Sequence, residues 1–203
     1  MEWNAVIAVL SVYIVGVVVP GPNFVAVAHT AASATRSDAL AVAAGIVVVN
    51  LFWASCAILG VGLVFAAFPW LALGVKIAGG LYLMAFGLRL IRRSHRAAPA
   101  TGITADRGFR RSFLQGFATN IANPKSIAFY AAVFSSATPA HVAWPTFLAM
   151  LAVVGVVATS WYGTVALCLS LKRVAVLYRR AKRWVDRCCG AVIMLLGLRQ
   201  LLR

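Results

Sequence analysis
Acidic residues are nearly missing from this chain: Asp and Glu total four, against nineteen Lys and Arg, for a formal net charge of +15. Glu2, Asp38, Asp106 and Asp186 lie at or near the ends of apolar runs, so no run carries an internal carboxylate. Histidine is scarce too, with only His29, His95 and His141. Cys56 and Cys168 sit inside apolar runs as small hydrophobes. Cys188 and Cys189 are adjacent and make no metal-ligand spacing. These shortages leave no metal centre and no carboxylate cage for a hard cation. Nothing in the pattern asks for a cofactor.

Charge of either sign is in short supply. Charged residues are 11% of the chain and hydrophobic ones 63%, against about 25% and about 45–50% in soluble domains. The apolar residues form runs long enough for a bilayer, which takes about 20 residues per helix. That pattern excludes a soluble enzyme and predicts an all-α integral membrane protein. Nucleic acid is not an expected partner: the basic residues fall in short gaps between apolar runs, without aromatic interleaving or a separate basic domain. Membrane lipid is the expected surrounding. Glu2 in place of a basic n-region, and an unbroken apolar run after it, predict no cleaved leader.

Six apolar segments can be read, at 4–30, 39–67, 70–91, 112–135, 144–171 and 184–202. The gap after the first holds Arg36. The gap after the third holds Arg92, Arg93, Arg96, Arg107, Arg110 and Arg111, with Arg89 just before it. The gap after the fifth holds Lys172, Arg173, Arg179, Arg180, Lys182 and Arg183, with Arg187 following. The alternate turns, near 68 and 136–143, have no Lys or Arg. With six crossings the basic gaps share one side. The positive-inside rule makes that side cytoplasmic and puts both termini outside.

The chain also repeats. VKIAGGLYLMAFGLRLIRR from Val75 aligns without a gap to VDRCCGAVIMLLGLRQLLR from Val185, matching Gly80 with Gly190 and Gly87 with Gly197. The same offset pairs Gly45 with Gly155 and Asn50 with Ser160. The expected architecture is six transmembrane helices as a 3+3 inverted-topology repeat. A first repeat spans 1–91, a basic cytoplasmic loop 92–111, and a second repeat 112–203.

Two polar motifs interrupt corresponding segments. Pro20, Gly21 and Pro22, followed by Asn23, stand about two thirds of the way through the first. Proline has no N–H and clashes with the preceding turn, so this stretch should open the helix. Asn120, Asn123, Pro124 and Lys125 repeat the device in the fourth. Freed backbone groups are tolerable at membrane depth only against protein or a watery cavity. A buried ammonium costs at least about 2.5 kcal/mol on insertion scales. Lys125 therefore either snorkels to the cytoplasm or holds an anion, and a substrate carboxylate is the natural candidate. Asn50 and Ser160 either complete the cavity or bond neighbouring helices. Trp53, Trp161 and Tyr162 read first as packing, and Trp3, Trp70 and Trp144 as interfacial anchors.

The stretch PGPNFVAVAHTAASATRSDALAVAAGIVVVNLFW from Pro20 to Trp53 resembles the first signature of the LysE/RhtB amino-acid exporters. GFATNIANPKSIAFYAAVF from Gly116 to Phe134 is similar to their second. The resemblance implies ion-driven export of amino acids across a bacterial inner membrane. It implies a transport core of Pro20, Gly21, Pro22, Asn23, Asn120, Asn123, Pro124 and Lys125. Where the family often has Asp, this chain has Asn50; Val49 replaces a frequent Gly, and glycines frequent near Thr35 and Ala39 are absent. Ion coupling then falls to Asp38 at the cytoplasmic mouth, to an ion other than the proton, or is weak. With one lysine and no acid, the cavity suits neutral amino acids. The rival readings are a metal or other cation exporter and a non-transporting scaffold. The oligomeric state stays open, a homo-oligomer included.

Overall fold
The computed structural model describes residues 1–61, 68–94, 107–134, 137–139 and 141–202. The centre of the basic linker (95–106), the end of the second apolar segment (62–67) and Arg203 lie outside the described residues. Every element among the described residues is helical. In chain order these are α1 (Trp3–Val18), α2 (Pro22–Ser33), α3 (Arg36–Cys56), α4 (Pro69–Arg93), α5 (Phe109–Ile121), α6 (Pro124–Ala128), α7 (Trp144–Leu169) and α8 (Lys172–Leu202). Wider π-helical turns extend α3 over Ala57–Val61 and α6 over Phe129–Phe134.

Arg36–Leu59 and Trp144–Leu169 are each long and apolar enough to cross a membrane. α1 and α2 together make a third candidate span, bent by 53° between them. Ile7, Ile14, Phe52, Leu148, Val156 and Leu195 are exposed on the outer surface. A soluble protein seldom leaves so much large apolar surface bare.

Local sequence sets the helix boundaries. Thr35 and Asp38 form a reciprocal capping box at the start of α3. Pro22, Pro69 and Pro124 open α2, α4 and α6, where a missing N–H costs no helix bond. One boundary differs from the sequence reading. Residues 172–183, expected as a polar gap, are the first turns of α8, which runs unbroken for 31 residues. No Gly or Pro interrupts 172–189. Val174, Leu177, Ala181 and Val185 make an apolar stripe at helical spacing, and it faces a groove shared with Trp161 and Leu169 of α7.

Three contacts fix helix directions. The Glu2 N–H donates to Thr146 Oγ1 at 3.1 Å, so α1 and α7 start at the same end. Ser112 Oγ donates to Asp38 Oδ1 at 2.8 Å, so α3 and α5 start together at another point. α4 and α8 run antiparallel along a glycine seam. A Cβ on Gly190 would lie 2.7 Å from the Gly87 carbonyl, and one on Gly197 would lie 2.7 Å from the Gly80 carbonyl. α3 and α5 meet as tightly: a Cβ on Gly45 would strike the Phe113 carbonyl, and one on Gly116 the Val42 carbonyl. Small residues let helix backbones approach in this way.

Candidate functional site
The chain leaves the helix after Val18 and re-enters it at Pro22. Pro20 has no N–H to offer the Gly16 carbonyl four residues back, and the Val19 carbonyl also falls outside the ladder. Both carbonyls point at one group. Lys125 Nζ donates to Gly16 O at 3.1 Å and to Val19 O at 2.7 Å. An ammonium from the second half of the chain thus caps the C-terminus of α1, where the helix dipole favours positive charge. Lys125 is only 9% exposed. Gly21 makes room for it, since a Cβ there would lie 3.0 Å from Lys125 Cδ.

The second break is closed by its own asparagine. Asn123 Oδ1 accepts from the Lys125 backbone N–H at 3.0 Å and so caps α6. Its Nδ2 donates to Asn23 Oδ1 at 3.0 Å. Asn23 Nδ2 donates in turn to Asn120 Oδ1 at 2.8 Å, which also receives Ser126 Oγ at 2.7 Å. Asn120 Nδ2 reaches α3 by donating to Ile46 O at 2.8 Å and to Asn50 Oδ1 at 2.9 Å. One network therefore ties α2, α3, α5 and α6, and its asparagines are all buried. Asn50 Nδ2 is buried without a hydrogen-bond partner. Such a group costs about 1–3 kcal/mol.

Between the two breaks lies a cavity of about 30 Å³. Gly21, Asn23, Asn123, Lys125 and Ser126 form its polar side. Tyr13, Phe129, Tyr130 and Tyr162 form the aromatic side, with Tyr13 and Tyr130 ring centroids 6.2 Å apart. The volume has room for one or two waters. An amino acid needs several times more, so the cavity as it stands does not hold one.

The LysE type translocator family profile matches residues 14–203. The chain belongs to this family. It is 32% identical over 196 residues to the threonine efflux protein of Escherichia coli strain K12, with 95% of each chain covered. It is 31% identical over 195 residues to the threonine efflux protein of Salmonella typhi, with 94% of each covered. An uncharacterized membrane protein of Haemophilus influenzae is 27% identical over 192 residues, covering 92% of this chain and 90% of its own. No solved structure matches.

In this LysE-family protein the structure brings together most of the residues singled out in the sequence. Gly21, Asn23, Asn123 and Lys125 line the cavity, and Asn120 and Asn50 join it through hydrogen bonds. Pro20 is buried beside them, and Pro22 and Pro124 open the helices that follow the breaks. Ser160 stands apart, exposed on α7, while Tyr162 two residues on lines the cavity that the sequence reading withheld from it. Asp38 is remote as well, twelve residues from Asn50 and so roughly 18 Å along α3. Its Oδ2 accepts from Thr35 Oγ1 at 2.8 Å, Thr35 N at 3.2 Å and Arg107 N at 3.3 Å, in addition to the Ser112 bond at Oδ1. Sequence reasoning missed Gly16, Val19 and Ser126. The first had a signal, since a residue four before a proline always loses its donor. Ser126 had none.

Proposed function
We propose that this LysE-family protein exports neutral amino acids from the bacterial cytoplasm across the inner membrane, by alternating access around the cavity between the two breaks and driven by an ion gradient. One observation carries the reading: one cavity is lined from both breaks and holds a buried ammonium and two amide side chains, with no acid among the described residues of its lining. A zwitterion needs both a cation and acceptors, and a lysine beside freed carbonyls offers the two. The named relatives export threonine, and a neutral amino acid of that kind suits a site with one positive charge.

The helix directions favour six crossings in an inverted 3+3 repeat. α1 and α7 start together, as first and fifth crossings should; α3 and α5 start together, as second and fourth should; α4 and α8 oppose each other, as third and sixth should. The glycine seam pairs Gly80 with Gly197 and Gly87 with Gly190, the reciprocal contact expected of two halves about a pseudo-two-fold axis. With the basic gaps in the cytoplasm, both termini lie outside.

Cells expressing the protein and loaded with labelled amino acids should release threonine and similar neutral amino acids faster than cells with empty vector. The Lys125→Ala protein should reach the membrane yet lose at least about tenfold in rate, the loss of one charge-assisted contact. Export at the wild-type rate by that variant sinks the assigned site. No accelerated release of any neutral amino acid sinks the function.

A further inference from the structure
We infer that the carbonyls of Gly16 and Val19 form a binding site for a primary ammonium group, that Lys125 fills it here as a tethered occupant, and that a transported amino acid displaces the lysine with its own α-ammonium. The inference rests on the transport reading of the same cavity and goes further by naming the half-site and its exchange.

The sequence makes the site. Pro20 strips the Gly16 carbonyl of its helical donor, and the break strips the Val19 carbonyl of its own. Two unsatisfied carbonyls at the negative end of a helix attract a cation with several N–H donors. The ammonium that meets them at 2.7 and 3.1 Å has the chemistry of a substrate's α-ammonium. It also stands at the end of a flexible stem, and that stem lies against Gly21, the residue without a side chain to fence it in. A rigid arginine fork would not release two carbonyls one at a time; a lysine can.

Exchange solves a charge problem. A cavity with Lys125 and no acid among the described residues of its lining cannot accept a second bare cation, because two like charges at close range in a poorly hydrated space repel strongly. A zwitterion avoids this. Its carboxylate pairs with the displaced ammonium as its own ammonium takes the carbonyls, so the net charge of the cavity stays at one. The site therefore selects molecules with both a free α-ammonium and a carboxylate. It rejects simple amines, simple carboxylates and N-trimethylated amino acids, which have no N–H to give.

Purified Lys125→Ala protein tests the half-site directly. Methylammonium at about ten times its Kd should raise its Tm by about 3–6 °C, and tetramethylammonium should not. Wild-type protein should respond to neither, because the lysine holds the site. No rise in the variant, or an equal rise with tetramethylammonium, overturns the site. A second arm uses wild-type protein in proteoliposomes and so does not depend on the variant's folding. Uptake of labelled threonine by counterflow should be competed by unlabelled alanine and not by trimethylglycine or propionate. Competition by trimethylglycine as strong as that by alanine overturns the exchange. A rise in Tm with methylammonium but no amino-acid counterflow would instead count against the transport reading and leave the carbonyl site standing.

Discussion

Asn120 and Asn50 share a hydrogen bond, yet the same change in the two should have opposite effects. Asn120 spends both amide N–H groups on α3, at Ile46 O and Asn50 Oδ1. Asn120→Asp removes both donors and sets a carboxylate against two acceptors. The expected loss is on the order of 3 kcal/mol, read as a lower Tm and a reduced membrane level. Asn50 only accepts in this network, and its own amide N–H groups have no partner. Asn50→Asp keeps the acceptor for Asn120 and exchanges an unsatisfied donor for a titratable oxygen. That protein should accumulate normally, and its export rate should gain a step in its pH dependence beyond that of the wild type. A pH profile of the two proteins in parallel decides this. Much of the network was legible in sequence because asparagine is conspicuous inside an apolar run. Asn23, Asn50, Asn120, Asn123 and Lys125 stand out by polarity alone. Which atoms they bond did not. Main-chain partners such as Ile46 O or Gly16 O have no side-chain signature, and Tyr162 was discounted because aromatic residues in membrane helices mostly pack.

At the scale of elements, glycine spacing decides how close the helices come. Gly87→Ala puts a methyl 2.5 Å from the Gly190 carbonyl, which has no freedom to yield. α4 and α8 must then separate, at about 1–3 kcal/mol for an overpacked contact. Gly163→Ala is the matched control, since nothing lies within 4 Å of a Cβ there. Its Tm should hold or rise, by up to the equivalent of about 1 kcal/mol. Thermal unfolding in detergent of both variants checks the pair. The repeat pointed to Gly80, Gly87, Gly190 and Gly197 through their matched positions. It could not tell that they meet one another, because a repeat says which residues are equivalent and not which are neighbours. It misled at Ser160, matched to Asn50 by the same offset but turned outward. The extent of α8 escaped for another reason. Arginine-rich residues 172–183 look like a loop by polarity, but arginine is a good helix former and the apolar stripe beneath it supplies the packing.

For the whole molecule, the proposed orientation rests on the distribution of charge, and the proposed motion on the small volume of the cavity. In a background without native cysteines, His141→Cys should react with a membrane-impermeant thiol reagent from outside intact cells. Arg110→Cys should react only after the membrane is opened. Both positions are exposed, so access is decided by side alone. The reverse labelling pattern would invert the proposed topology. Because the cavity of about 30 Å³ is far smaller than an amino acid, no substrate enters without parting the helices around it. The asparagine network spans the elements that must part, and Asp38 binds α3 to the start of α5 away from it. In the proposed cycle of alternating access, these are the bonds that have to break and remake.

Lys125 lies 109 residues downstream of the Gly16 carbonyl it caps. A ribosome adds about 5–20 residues per second, so α1 waits on the order of ten seconds for its missing donor. Until then the two carbonyls at the end of α1 lack the donor that they have in the folded protein. The order of synthesis thus makes the second half a folding partner for the first, and the lysine is one of the points at which the two are joined.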